Sequence, residues 1–297
     1  MDLYKILFLL VIIFIILIYI LSYIKINTLY HPLPANKEKY DRFYQKLFQL
    51  AETKSNILNI VIRTPDGKLI DTVYIKNPDT KKCIIYFHGN SGNIAMRFDM
   101  IKFLYNFASI IIFDYRSFGK STGNKNNLSM KLLQCDAISV WNYAIKNLAI
   151  EPNNISFFGE SLGCSIAISV ASQLSKKMDS YYYPHSIICN APFYSLSSMI
   201  KNSLNKINVG FLTPLLMPMI GNEYKSDEMI KFVNHQTKIL IAHSPRDEVV
   251  PYDEGWRLYK SILQSHPNIQ FINITGTHNS LGLTDQYIYS LANIFDD

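Results

Sequence analysis

One short stretch of the chain, residues 155–167, strongly constrains the fold. It reads as an apolar strand, a turn held between Gly159 and Gly163, and the start of a helix, and it contains the pattern Gly-x-Ser-x-Gly. A serine at the apex of a tight strand-to-helix turn adopts a strained backbone, and neighbours without side chains let strand and helix pass closely. The pattern predicts that Ser161 exposes its hydroxyl there. The N–H of Leu162 and the positive end of the helix dipole would face the same point.

The surrounding sequence separates this interpretation from its alternative, an ordinary glycine-serine turn. A serine hydroxyl is a poor nucleophile until a base takes its proton, and a third group must orient that base. His278 follows the last predicted strand and is the candidate base. Asp247 follows the preceding strand and is the candidate acid, with Glu248 as its rival. Along the chain these candidates follow one another in the order Ser, Asp, His.

A glycine-containing loop follows another predicted strand, and we call residues 88–93 the 88–93 loop. Its sequence is His-Gly-Asn-Ser-Gly-Asn. An oxyanion hole needs a second backbone donor from such a loop. Gly89 would let the backbone come close, and the N–H of Asn90 is the candidate donor, with Ser91 as the alternative. The loop lacks the Gly-x-Gly-x-x-Gly and Gly-Lys-Ser/Thr patterns of phosphate-binding loops.

Strands and helices alternate along most of the chain, which predicts an α/β fold with a mostly parallel central sheet and helices on both faces. A hairpin formed by residues 57–62 and 69–75 is predicted before the alternation begins. The remaining predicted strands are 83–88, 109–114, the strand before Ser161, 186–190, 238–243 and 269–274, and the helices include 94–107, 129–148 and 252–263. Sites in such sheets lie beyond the carboxyl ends of the strands, where every candidate catalytic residue falls.

Three regions are predicted. Residues 1–26 hold an uncharged, bulky apolar run between Lys5 and Lys25, which is long enough for a transmembrane helix and lacks the small residues of a signal-peptide cleavage site. Basic residues after this run predict a cytosolic catalytic domain and a single-pass membrane protein. Residues 27–53 are predicted as a juxtamembrane tether that ends in a short helix.

The third region, residues 54–297, is predicted to be the catalytic domain. Within it, residues 193–236 interrupt the alternation and are rich in Leu, Met and Pro. This insertion is expected to form either a small lid over the site or an extra helix packed on the core.

Composition excludes several other classes of function. The net charge of +6 is spread along the chain, and no basic-aromatic cluster or zinc spacing indicates a nucleic-acid partner. No metal-ligand spacing is present, so neither a metal nor a cofactor is expected. The four scattered cysteines are expected to be buried thiols, which favours a reducing compartment. Four further histidines are interpreted as structural: His31, His185, His235 and His266.

At these motifs the sequence resembles the α/β-hydrolase superfamily, and within it the membrane-anchored α/β-hydrolase domain-containing serine hydrolases. The resemblance covers the chain from about residue 54 to the end, and the matching segments are His88–Asn93, Asp114–Ser121, Gly159–Gly163, His243–Pro251 and Gly276–Asn279. The sequence departs from the usual pattern at Ser117, Cys164 and Ser244, where glycine is common.

The resemblance implies roles for the candidate residues. Ser161 would be the nucleophile, Asp247 the acid and His278 the base, while Asn90 and Leu162 would be the oxyanion donors. It also implies hydrolysis of carboxylic esters or thioesters, of lipids or of acylated substrates. A serine peptidase of the same fold and a non-catalytic hydrolase-fold binding protein at the membrane remain the alternatives.

Overall fold

The computed structural model describes residues 3–176, 182–206, 208–214 and 223–296. The helices are α1 Leu3–Leu29, α2 Lys37–Leu50, α3 Phe98–Leu104, α4 Met130–Lys146, α5 Leu162–Ser175, α6 Leu196–Lys206, α7 Ser226–Met229, α8 Tyr252–Ile262 and α9 Asp285–Phe295. The strands are β1 His31–Pro32, β2 Ile57–Arg63, β3 Leu69–Ile75, β4 Cys83–Phe87, β5 Ser91–Gly92, β6 Ser109–Phe113, β7 Ile155–Glu160, β8 Ser186–Asn190, β9 Lys238–His243, β10 Ile269–Asn273, β11 Thr275–Thr277 and β12 Ser280–Gly282.

The central sheet has eight strands in the order β10-β9-β8-β7-β4-β6-β3-β2. The strands from β10 to β6 are parallel, whereas β2 and β3 form an antiparallel hairpin and β3 pairs antiparallel with β6. The predictions of the hairpin and of a mostly parallel sheet are confirmed. Strand β7 lies inside the sheet between β4 and β8, so the turn that follows it opens at the carboxyl edge.

Helices cover both faces of this sheet, which explains why its inner strands are buried at nearly every position and mostly apolar. In β4, Ile85 and Phe87 contribute to one hydrophobic cluster, while Ile84 and Tyr86 contribute to the other. Side chains alternate between faces along a strand, so a strand covered on both sides has no polar face. Helices α4, α5 and α8 pack on the first face, and α2, α3 and α9 pack on the second.

The segment that precedes the hairpin also contributes to the core. Helix α2 starts at the N-cap Asn36, whose side chain accepts a hydrogen bond from the N–H of Lys39. Its residues Tyr40, Phe43 and Leu47 are buried in the second cluster. Their three- and four-residue spacing forms one apolar stripe, so this helix packs on the domain. The predicted domain boundary at residue 54 stays a prediction.

The N-terminal region differs from the sequence prediction. Helix α1 is present, and many of its apolar side chains are exposed, among them Phe8, Phe14 and Tyr19. Within the ranges that the structure describes, however, no helix combines the length and the hydropathy needed to cross a bilayer. The prediction of a transmembrane helix over residues 1–26 is therefore not supported.

The described part of the insertion at 193–236 packs against the sheet's helices. The buried carboxylate of Glu254, in α8, accepts hydrogen bonds from Ser198 at 2.5 Å and from the Asn202 amide at 2.8 Å. The Ser165 hydroxyl in α5 lies 2.6 Å from that of Ser226 in α7. Much of the Leu-, Met- and Pro-rich piece at 212–220 lies outside the described residues. Whether the insertion acts as a lid stays a prediction.

Candidate active site

The turn after β7 has the strained geometry that the Gly-x-Ser-x-Gly pattern predicts. Ser161 has φ 51° and ψ −116°, a left-handed φ that is rare for a residue with a side chain. A Cβ atom on Gly159 would lie 2.7 Å from the Cα of Cys164, and one on Gly163 would lie 2.0 Å from the carbonyl oxygen of Phe87. Both glycines are required because backbone atoms occupy the space of a side chain.

The hydrogen bonds of the turn fix this conformation. The Ser161 N–H donates to the carbonyl of Asn190, at the end of the neighbouring strand β8, at 2.9 Å. The Ser161 carbonyl accepts from the N–H of Cys164 at 3.0 Å, in the first turn of α5. With its backbone held on both sides, the serine keeps its strained position at the edge of the sheet.

The candidate base and acid meet directly. His278 lies in the tight turn between β11 and β12, and Asp247 lies in the loop after β9. The Nδ1 atom of His278 is 2.7 Å from Oδ2 of Asp247. The other oxygen of Asp247 accepts from the N–H groups of Val249 and Val250, at 2.9 and 2.8 Å. The carboxylate is therefore oriented by its own loop, and it orients the imidazole in turn.

The environment of Asp247 keeps it ionised. Burial raises its pKa, but the hydrogen bonds from His243 and His278 and those of its loop outweigh burial and lower the pKa below the ordinary value. An ionised carboxylate only accepts hydrogen bonds, so Nδ1 of His278 carries the proton and Nε2 is left as the acceptor.

Glu248, the rival acid, has a different position. Its Oε2 atom accepts the backbone N–H of His278 at 3.1 Å, while the imidazole is bonded to Asp247. The two neighbouring carboxylates thus hold the same histidine, one by its ring and one by its backbone.

The 88–93 loop lies beside the serine turn. A Cβ atom added to Gly89 would be 3.8 Å from the Cβ of Ser161 and 3.5 Å from the carbonyl of Glu160, which is ordinary van der Waals contact. The loop is close, but in the described structure its approach does not itself exclude a side chain at Gly89. Leu162 opens the 14-residue helix α5, so its N–H belongs to the unpaired first turn, where a developing negative charge is stabilised.

A cavity of about 740 Å³ joins these elements. Ser161, His278, Gly89 and Asn90 all line it, together with Val249 of the acid loop. The arrangement combines a strained serine, a carboxylate-held imidazole and the start of a helix around one space. A nucleophile, a base and backbone donors around one space are the groups that acyl-enzyme chemistry requires.

Comparison with known proteins identifies the family. A family model described as "Steryl acetyl hydrolase" matches residues 8–228, which is most of the chain and includes the 88–93 loop and Ser161. The chain belongs to this family of α/β-hydrolases. Asp247 and His278 lie after the matched range, so their part in the site is supported by the geometry described above.

Proteins of similar sequence include an uncharacterised protein and a lipase. An uncharacterised protein of Acanthamoeba polyphaga mimivirus is 52% identical over 277 residues, covering 93% of this chain and 94% of that protein. Lysophosphatidylserine lipase ABHD12 of Bos taurus is 27% identical over 219 residues, covering 69% of this chain. The chain spans about half the length of this lipase, 52%.

Solved structures share the fold. An α/β-hydrolase from Vibrio vulnificus has a TM-score of 0.69 at 18% identity, covering 84% of this chain and 85% of that one. A hyperthermophilic esterase from Pyrobaculum calidifontis has a TM-score of 0.57 at 17% identity, covering 95% and 96% of the two chains. The predicted α/β-hydrolase fold is confirmed.

The hydrolase shows no metal centre in the part of the chain that the structure describes: no group of three or more His, Cys, Asp or Glu side chains is placed to hold a metal ion. Cys83, Cys164 and Cys189 are buried free thiols, and Cys135 is half-buried. Burial raises the pKa of the Cys83 thiol. The cysteines therefore belong to the packing of the sheet and its helices.

Thr28 and His31 are among the cavity residues that the sequence does not predict. Both line the cavity alongside Ser161, although His31 was interpreted as structural and the segment around it as a tether. No sequence signal identifies them. Their position depends on the pairing of β1 with β5, two two-residue strands that lie 60 residues apart in the chain.

Proposed function

We propose that the protein is a serine hydrolase that cleaves carboxylic esters or thioesters through an acyl-enzyme. One observation carries the proposal: His278, held by Asp247 at 2.7 Å, lines the same cavity as Ser161 at its strained turn. Family membership and the esterases among the similar structures support the same reaction type.

The proposed roles follow from the hydrogen-bonding pattern. Oγ of Ser161 attacks the acyl carbonyl carbon, and Nε2 of His278 takes the hydroxyl proton. Asp247 stabilises the resulting imidazolium and fixes its tautomer. When the carbonyl carbon loses its bond to the leaving oxygen or sulfur, His278 returns the proton to that group. Water then attacks the acyl-enzyme, again with His278 as base, releasing the acid and restoring Ser161.

The oxyanion of each tetrahedral intermediate would be held by two backbone N–H groups. We assign these to Leu162, at the start of α5, and to Asn90, in the 88–93 loop. Removing one donor from such a site costs about 100- to 1,000-fold in kcat, so the assignment has a large expected effect.

The substrate is proposed to be a lipid ester or another acylated compound. The matched family is described as steryl acetyl hydrolase, and the ABHD12 relative is named a lysophosphatidylserine lipase, so both names refer to esters of lipids. A cavity of about 740 Å³ is within the range that holds a molecule of this size.

The second part of the proposal is that helix α1 holds the protein at a lipid surface. The described side chains of α1 expose a continuous set of large apolar residues, including Leu7, Phe8, Ile12 and Phe14. Extended apolar surface of this kind marks contact with lipid or with another apolar partner. Full-length protein is expected to float with phosphatidylcholine vesicles, and Phe8→Asp together with Phe14→Asp is expected to leave it in the soluble fraction. Equal flotation of both proteins would contradict this part.

The catalytic part is tested with Ser161→Ala. Wild-type protein is expected to hydrolyse p-nitrophenyl esters and to be labelled by a fluorophosphonate, whereas the variant loses both. Ser169→Ala is the matched control, because this buried hydroxyl of helix α5, which follows Ser161, donates within the helix to the carbonyl of Ile166. Turnover by Ser161→Ala at the wild-type rate would refute the proposal.

A further inference from the structure

A short segment between α1 and α2 is paired with the 88–93 loop. Strand β1 runs parallel to β5, with His31 opposite Ser91 and Pro32 opposite Gly92. The His31 N–H donates to the carbonyl of Asn90 at 2.9 Å. In return, the Asn90 side-chain amide donates to the carbonyl of Leu29 at 3.1 Å. The proposed oxyanion donor Asn90 is thus held from both its backbone and its side chain by residues outside the alternating α/β sequence.

The same segment contributes side chains to the substrate cavity. Thr28 and His31 both line it. Nε2 of the His31 ring lies 2.9 Å from the carbonyl oxygen of Thr28, which orients the imidazole. Both residues are exposed, so they lie at the mouth of the cavity and not in the core.

Contacts on either side fix the segment to the domain. The buried Tyr30 hydroxyl lies 2.6 Å from that of Tyr224 in the insertion. The Lys125 ammonium donates to the Asn27 side chain at 2.9 Å, and the Gly119 N–H donates to the carbonyl of Leu33 at 3.0 Å. A segment held at three points acts as a fixed wall of the cavity.

We propose that residues 28–33 are part of the active site: their backbone positions the 88–93 loop, and the His31 side chain limits the length of the acyl chain that the cavity accepts. This inference rests on the proposed ester hydrolysis. The acyl chain is the part of the substrate assigned to this wall because the cavity extends from Ser161 to the exposed residues Thr28 and His31 at its mouth. A chain long enough to reach the mouth meets the His31 imidazole, so the size of this side chain sets the length that fits.

The side-chain role is tested on the full chain with p-nitrophenyl acetate and p-nitrophenyl octanoate. His31→Trp places a larger side chain at the mouth of the cavity, which leaves less room for a long acyl chain. The value of kcat/KM for the octanoate is therefore expected to fall about tenfold relative to that for the acetate. His235→Trp is the matched control, since His235 is an exposed histidine whose ring lies 5.6 Å from that of His266, away from the cavity. An unchanged acetate-to-octanoate ratio in His31→Trp, or the same change in His235→Trp, overturns the assignment.

The backbone role is tested with two proline variants, each placed directly after an existing proline. Leu33→Pro removes the N–H that donates to Gly92 at 3.2 Å, and Ala35→Pro removes the N–H that donates to Gly119 at 3.1 Å. Only the first bond reaches the 88–93 loop. Leu33→Pro is expected to lower kcat for the acetate about fivefold, the effect of one hydrogen bond, with KM unchanged. Ala35→Pro is expected to keep both constants.

The outcomes separate this inference from the proposed function. Wild-type protein that neither turns over esters nor reacts with a fluorophosphonate would refute the hydrolase itself. Wild-type turnover with equal kcat in the two proline variants would overturn the positioning role alone. If Leu33→Pro fails to fold, as shown by circular dichroism, the ester-length ratio of His31→Trp decides the inference.

Discussion

Replacing Asp247 by Asn is the sharpest test of the acid–base pair. The side chain keeps its size, and its oxygen can still accept from the N–H groups of Val249 and Val250. The amide nitrogen, however, would donate toward Nδ1 of His278, which must then accept. The imidazole proton moves to Nε2, the atom that has to receive the proton of Ser161. The substitution therefore leaves the loop intact and gives the histidine the wrong tautomer.

The charge effect adds to the tautomer effect. The Asp247 side chain is fully buried and that of His278 is 11% exposed, so water screens the pair weakly. At a separation of about 4 Å between charge centres and an effective dielectric constant of about 20, the carboxylate stabilises the imidazolium by about 4 kcal/mol. This corresponds to about a 1,000-fold loss of kcat. With the tautomer included, we expect a loss of about 1,000- to 10,000-fold.

The assay is p-nitrophenyl butyrate hydrolysis at pH 8, with thermal unfolding to verify the fold. Glu248→Gln is the matched control, because the glutamine oxygen can still accept the backbone N–H of His278 and this carboxylate does not touch the ring. Its kcat is expected to stay within about threefold, the effect of weakening a single exposed hydrogen bond. If Asp247→Asn retained kcat within tenfold of wild type, or if Glu248→Gln lost more than Asp247→Asn, the assignment of the acid would be refuted.

Two further predictions concern stability. Gly163→Ala would bring a Cβ atom within 2.0 Å of the Phe87 carbonyl oxygen, so it is expected to lower the free energy of unfolding, measured by urea titration, by about 3 kcal/mol. Gly89→Ala, with ordinary contacts of 3.5 Å or more, is expected to change it by less than about 0.5 kcal/mol. Equal effects of the two substitutions would contradict the geometry of the turn. Burial raises the pKa of Asp114 from its ordinary 3.8 to about 7. The folded state therefore holds a proton that the unfolded chain releases, and wild-type stability falls as pH rises from about 4 through 7. Asp114→Asn, which has no proton to lose, is expected to gain thermal stability relative to wild type between pH 5 and pH 8, and a constant difference in melting temperature would refute this.

Much of the fold was predictable because its signals are local. The buried strands read as continuous apolar runs, and the covering helices show apolar residues at helical spacing. The predicted helix at 94–107 illustrates the limit. The structure has a 3-10 turn at Ile94–Met96 and then α3 over Phe98–Leu104. The side chain of Asn93 caps the first turn and the Asp114 carboxylate accepts the N–H of Ile94, so a contact from a distant strand fixes how this region starts.

The candidate site also has parts that the sequence predicts and a part that it does not. Ser161 and its two glycines were predictable because strand, turn and helix are contiguous. Asp247 and His278 were predictable because each lies in the segment after a strand whose carboxyl end must lie at the same edge of the sheet. The sequence favours Asp247 as the acid and leaves the adjacent Glu248 as its rival. Their difference, one on the imidazole and one on a backbone N–H, depends on how the loop folds against the β11–β12 turn.

By itself, the sequence determined the alternating α/β architecture, the serine turn and the order of the polar residues, since each is encoded by neighbours along the chain. Only the tertiary structure decided that Thr28 and His31 line the cavity, that β1 holds the 88–93 loop, and that Asp247, not Glu248, bonds the imidazole. These contacts join residues 31 to 133 positions apart, through short strands and loops without periodicity. Such pairings arise when the sheet and its helices bring the segments together, because nothing in the local sequence specifies the partner.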